Sequence, residues 1–191
     1  MIPRMIQLSE SAVTVDFGDG IDLHTNELVL AFTAAVDQSK IPGFREVVPT
    51  YRSATVYFDP LLTDADTLMK KVRALTVDTV VAPSRASITH TIPVWYGGAA
   101  GPDLPDVARQ AGLTPEEAGE LHASVAYRVC MLGFSPGFPY LSTVPAPLAA
   151  PRLPTPRKYV AAGSVGIAGT QTGVYPQASP GGWRIIGRTP V

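Results

Sequence analysis

Between residues 11 and 17 the apolar side chains Ala12, Val13, Val15 and Phe17 alternate with polar ones, the period of a half-buried strand. Gly18-Asp19-Gly20 interrupts that run. From about His24 to Ser39 the apolar residues Leu28, Phe32, Ala35 and Val36 fall at helical spacing, and Pro42-Gly43 stops the helix. Residues 44–49 and 54–58 read as two strands, and Tyr51-Arg52-Ser53 between them predicts a hairpin. Thr63 is placed to cap a second helix running from Asp64 to about Leu75, with acids in its first turn. Residues 88–96 offer one more strand. Strand, helix, strand, strand, helix, strand is the order of a ferredoxin-like α+β sandwich.

The texture changes around Pro83-Ser84-Arg85, so two domains are expected, residues 1–87 and 88–191. Residues 103–111 suit a short helix. A second begins at Thr114-Pro115-Glu116-Glu117, where Thr is an N-cap, Pro takes the first helical position and Glu117 completes a capping box. It runs to about Ser124, and residues 125–132 read as a strand. Beyond them the helical period disappears. Short extended pieces separated by Gly and Pro predict a β-barrel or sandwich.

Hydrophobic residues make up 46% of the 191 and charged residues 16%, which places the chain among globular proteins. A net charge of −1 argues against a polyanion-binding surface, so no nucleic-acid partner is expected. The one cysteine, Cys130, lies in the apolar run Val129-Cys130-Met131-Leu132 and reads as a small buried hydrophobe rather than a reactive thiol. The N-terminus lacks the pattern of a secretory signal, and no apolar stretch approaches the ~20 residues that span a bilayer. The expected location is therefore the cytoplasm, with no membrane partner. His24, His90 and His122 show no metal-ligand spacing, so no metal site is expected.

Two stretches carry candidate chemistry. Gly133-Phe134-Ser135-Pro136-Gly137-Phe138-Pro139-Tyr140-Leu141 sets three aromatic rings on a turn stiffened by two prolines. It suits a preformed substrate-binding loop, and it equally suits a well-packed barrel corner. The second runs from Ala162 through Gly163, Gly166 and Gly169 to Gln171-Thr172-Gly173-Val174-Tyr175-Pro176. It is neither a Walker A loop nor a dinucleotide fingerprint, so this chain is not expected to bind ATP by a standard loop. Gln171 and Thr172 are short polar groups suited to orienting a carbonyl or amide; a strand with glycines at its bends reads the same way. Ser179-Pro180-Gly181-Gly182-Trp183 looks like a turn into a final strand. No Ser-His-Asp pattern or nucleophile elbow is present, so no nucleophile is assigned. His122 suits a general base near neutral pH, or a helix-end residue linking its helix to the sheet.

Together these stretches resemble the family of the 5-oxoprolinase B component, also called allophanate hydrolase subunit 1 or the Kip-type kinase inhibitor family. The resembling segments are Ile92-Pro93-Val94-Trp95-Tyr96 with Gly97-Gly98, Gly101-Pro102-Asp103-Leu104, Glu120-Leu121-His122, residues 133–141, Pro156-Arg157, and residues 162–176 and 179–189. They cover most of residues 88–190; the first half matches in element order and length.

The resemblance implies a ferredoxin-like N-terminal domain followed by a cyclophilin-like β-barrel. It implies one subunit of an ATP-dependent enzyme hydrolysing 5-oxo-L-proline to L-glutamate, inactive alone. The implied partners are a larger C component (allophanate hydrolase subunit 2-like), whose own barrel pairs with this one, and an ATP-dependent lactam-opening subunit. No cofactor is expected on this chain, and ATP is used through that last partner. Two other roles accompany the family: inhibitor of a sensor histidine kinase, and carboxyltransferase-like subunit in urea or allophanate metabolism. The expected site combines His122 as catalytic residue with Phe134, Gly137, Tyr140, Gln171 and Thr172 around the substrate. Two positions depart from the family pattern. Ala161 stands where Pro is usual, and the sequence stops at Val191 where relatives continue: either the sequence ends early or the barrel is completed differently, and an open barrel would leave an unpaired edge for a partner to cover.

Overall fold

The first strand lies upstream of the alternation at Ser11. In the computed structural model, which describes residues 3–78 and 88–190, β1 (Arg4–Ser9) pairs antiparallel with β2 (Ala12–Asp16), Met5 facing Val15. Only Met5 of β1 packs against a core, so the strand leaves almost no period-2 signal. The chain divides into two compact units, Met1–Ser87 and Ile88–Val191.

In the first unit β3 (Phe44–Pro49) and β4 (Ser53–Phe58) complete an antiparallel sheet of order β1-β2-β4-β3. Two helices cover one face, α1 (Leu23–Gln38) and α2 (Ala65–Asp78). Val13 and Val15 of β2 and Ala54, Val56 and Phe58 of β4 point inward at every second position, and meet Val29, Phe32 and Val36 of α1 and Leu68 and Val72 of α2. Asp22 caps α1 through its carboxylate, which accepts from Thr25 N at 2.8 Å. The cap of α2 is Asp64, one residue later than expected: Asp64 Oδ1 accepts from Thr67 N at 2.8 Å, a bond a side chain at Thr63 does not make.

The strand expected at residues 88–96 does not complete this sheet. Only β5 (Trp95–Tyr96) is extended, and it belongs to the second unit. The position beside β2 is filled by β1 instead. The reason is local: a tight hairpin closes at far lower loop cost than a return from beyond α2.

The second unit adds α3 (Leu104–Ala111), α4 (Pro115–Ala123), β6 (Val129–Leu132), β7 (Pro139–Thr143), β8 (Arg157–Val160), β9 (Ser164–Ala168), β10 (Gln171–Val174), β11 (Ser179–Gly181) and β12 (Arg184–Arg188). Six strands form an antiparallel sheet of order β5-β12-β9-β10-β7-β6, and β8 pairs separately with β11. Among the described residues the sheet is open, ending at β5 and β6.

β9 is buried at all five positions because the sheet is covered on both sides. Val165 and Ile167 join Leu104, Val107 and Ala108 of α3, and Ala118 of α4. Ala168 joins Phe138, Tyr175, Trp183 and Ile185 on the other face. Gly166 makes room there, since a Cβ on it would lie 3.1 Å from Trp183 Cβ. Asp103 pins the start of α3: its carboxylate accepts from Ile185 N at 2.6 Å and from Arg157 Nη2 at 2.7 Å. The predicted capping box at Thr114 and Glu117 is present in both directions.

Candidate functional site

Residues of three elements meet around the imidazole of His122, near the end of α4. Tyr96 of β5 lies with its hydroxyl 2.8 Å from Nδ1, and Thr172 of β10 with its hydroxyl 3.0 Å from Nε2. The single proton of Thr172 Oγ1 goes to Gly166 O at 2.9 Å, so that oxygen accepts from Nε2–H. Nδ1 then carries the lone pair and accepts from the Tyr96 hydroxyl. Tyr127 closes the group by donating to His122 O at 3.0 Å. Burial alone pushes the imidazole from its usual 6.5 down to about 4 and the Tyr96 phenol up to about 12. The ring is therefore neutral, buried and bonded at both nitrogens. In this geometry both imidazole nitrogens of His122, the expected catalytic residue, are engaged by internal partners, and the residue ties α4 to β5 and β10.

The loop at 133–138 joins β6 to β7. Ser135 N donates to Gly133 O at 2.7 Å across Phe134, whose φ is +65°. That is a γ-turn of the positive-φ kind, a strained conformation for an L-residue. Phe138 N donates to Ser135 O at 3.0 Å and closes the loop. The Phe134 ring is held outward, 62% exposed, over Phe138 at 5.4 Å and Tyr175 at 6.3 Å between ring centres. Phe138 is the hub, with Tyr140, Tyr175 and Trp183 edge-on at 5.0, 5.2 and 5.5 Å. Ser135 Oγ is buried without a hydrogen-bond partner among the described residues.

A cavity of about 600 Å³ opens in the same unit, lined mainly by apolar groups that include Trp95, Ala162, Gly163, Tyr175, Pro176 and Arg188. Gly163 is forced there by the fold. Its φ is +79°, and a Cβ would sit 2.4 Å from Thr189 O. The cavity and the strained loop share a wall, because a Cβ on Gly137 would lie 3.8 Å from Pro176.

These features belong to segments with relatives. The family described as carboxyltransferase domain, subdomain C and D, matches residues 3–191. The B component of 5-oxoprolinase from Bacillus subtilis (strain 168) is 40% identical over 195 residues, covering 97% of this chain and 81% of that protein. The chain belongs to this carboxyltransferase-domain family. A crystal structure of the protein TTHA0988 superposes with a TM-score of 0.79 at 37% identity, covering 94% of this chain; the chain spans 34% of that one. Kluyveromyces lactis urea carboxylase shares the fold, with a TM-score of 0.77 at 18% identity, covering 98% of this chain and 19% of its own.

Within this family member the expected site residues separate into three groups. Phe134 and Gly137 lie on the strained loop, with Tyr140 in the aromatic cluster beside it. His122 and Thr172 form the buried relay. Gln171 stands partly exposed at the start of β10, opposite Ala168 and Thr143. None of the six lines the cavity beside Trp95 and Gly163. Trp95, Gly163 and Arg188, which do, were not expected as site residues. Their signal was in the sequence: three of the family-like segments, at 92–98, 162–176 and 179–189, converge on that cavity. Among the described residues no group of three or more His, Cys, Asp or Glu could hold a metal ion, and no helix is long and apolar enough to cross a membrane.

Proposed function

We propose that this chain is the B component of a complex that hydrolyses 5-oxo-L-proline to L-glutamate at the expense of ATP. The observation that carries this reading is the 40% identity to the Bacillus subtilis 5-oxoprolinase component along almost the whole chain. The site geometry agrees with a protein that positions rather than attacks. The imidazole of His122 is occupied by internal bonds, while a stiff aromatic loop and a preformed cavity adjoin at Tyr175 and Pro176. ATP chemistry and ring opening belong to a lactam-opening partner, and a larger C component covers the open sheet. The first unit is a ferredoxin-like variant with its last strand replaced by β1, and the second is the half-open counterpart of a cyclophilin-like barrel. The complex works in the cytoplasm.

The test is ATP-dependent glutamate release from 5-oxo-L-proline. The purified chain is assayed alone and with the products of its neighbouring genes. Release only in the full mixture, lost when this chain is left out, supports the proposal. A stable complex without turnover of 5-oxo-L-proline removes it and moves attention to a urea-type substrate or to a kinase partner.

A further inference from the structure

We infer that the cavity beside Trp95 and Arg188 is a binding site for a small monocarboxylate carrying a flat, weakly polar ring. Trp95 and Arg188 face each other directly across the antiparallel pair of β5 and β12. The indole is 68% exposed and borders the cavity, so it offers an aromatic surface for a planar ring. Among the described residues Arg188 is the only charged one in the lining. Its Nε donates to Ala162 O at 2.9 Å, which fixes the plane of the guanidinium and leaves both terminal nitrogens available.

The other arginines nearby are used differently. Arg157 and Arg184 of the same unit pair with Asp103 and Asp106, whereas no acidic side chain among the described residues pairs with Arg188. An oriented cation without a counter-ion among the described residues, beside an apolar cavity, selects a carboxylate by its two-pronged geometry. The volume of about 600 Å³ is that of a small-molecule site. The remaining walls are mostly Ala, Val, Pro and Gly, so affinity for the rest of the ligand comes from shape and stacking rather than from further charged contacts.

The assignment deepens the reading above and rests on it for the choice of ligand. Binding is therefore measured on this chain alone, without ATP or other proteins, so a failed titration and a failed turnover assay report different things. The probes are 5-oxo-L-proline, its uncharged carboxamide, and L-proline, whose ammonium cancels its charge. Tryptophan fluorescence reads the titration, because Trp95 is open to solvent while Trp183 is 5% exposed.

The expected result is a saturable change with 5-oxo-L-proline and binding about tenfold or more weaker for the amide and for L-proline. Arg188→Gln weakens binding by a similar factor, Arg188→Lys by less, and Arg109→Gln, at an exposed arginine paired with Asp106, leaves it unchanged. Trp95→Leu is followed by equilibrium dialysis, since it removes the reporter, and also weakens binding. No saturable binding to the folded chain, equal binding of the amide, or full binding by Arg188→Gln overturns the inference.

Discussion

His122 Nε2 and Thr172 Oγ1, fifty positions apart in the chain, lie 3.0 Å apart in a buried hydrogen bond, and the same hydroxyl donates to Gly166 O. One threonine thus joins α4 to two strands. Thr172→Val keeps the shape, leaves Nε2–H without its partner and removes the hydroxyl's bond to Gly166 O. The expected cost is about 1–3 kcal/mol, because each group keeps its desolvation penalty and loses its bond. Thr172→Ser retains most of the stability. Urea unfolding followed by tryptophan fluorescence checks both, and it reports on the second unit, which holds Trp95 and Trp183.

The relay also sets a pH dependence. The folded imidazole is held near 4 against 6.5 in the open chain, so between those values the unfolded state binds more protons. The contribution of His122 is complete above about pH 6.5 and is lost as pH falls towards 4, a span of about 3 kcal/mol. The urea midpoint of the native chain should drop through this window. His122→Gln should start lower and fall less steeply. Parallel curves for the two proteins would remove the buried neutral imidazole from the account.

Phe134 separates strain from stability. Phe134→Gly relieves a positive φ and loses only an exposed ring, so stability is expected to stay level or rise by up to about 1 kcal/mol. Phe134→Ala keeps the strain and loses the ring, and should be less stable than the glycine variant by about 1 kcal/mol. If the loop serves the proposed complex, both lower its kcat/KM despite their opposite effects on folding. Thermal melts beside turnover assays show whether the two readouts part.

Two glycines at left-handed positions should respond differently to alanine. Gly112 ends α3 at φ +70° with nothing within 4 Å of an added Cβ, so Gly112→Ala costs about 1 kcal/mol of backbone strain. Gly163 has φ +79°, and its Cβ would meet the Thr189 backbone oxygen at 2.4 Å. Gly163→Ala adds a main-chain clash and is expected to cost about 3 kcal/mol or more. Chemical denaturation of the pair distinguishes the two terms.

Much of the element order was legible from period alone. Both helices of the first unit and the hairpin of β3 and β4 announced themselves because each buries one face. The capping box of α4 was legible for a more local reason: Thr114 and Glu117 satisfy each other's backbone within one turn. β1 was not legible, since an edge strand with one inward residue carries no pattern. The sequence also suggested that the glycine-rich and aromatic motifs line one pocket. The structure distributes them, because neighbours on a strand point to opposite faces: Thr172 faces His122, while Gly173, one residue on, lies against Phe138.

By itself the sequence determined much of what depends on neighbours a few residues away: most of the helices and strands, the capping box of α4, and where turns fall. Family-like motifs marked the segments that matter without saying which of their atoms meet. The tertiary structure decided what depends on residues far apart. It engaged both ring nitrogens of His122, through partners at Tyr96 and Thr172. It set Arg188 opposite Trp95 over a cavity whose described lining holds no acid. Burial and pairing of this kind are properties of the packed chain, because the desolvation and the partner that fix a side chain's chemistry come from strands that local pattern does not specify.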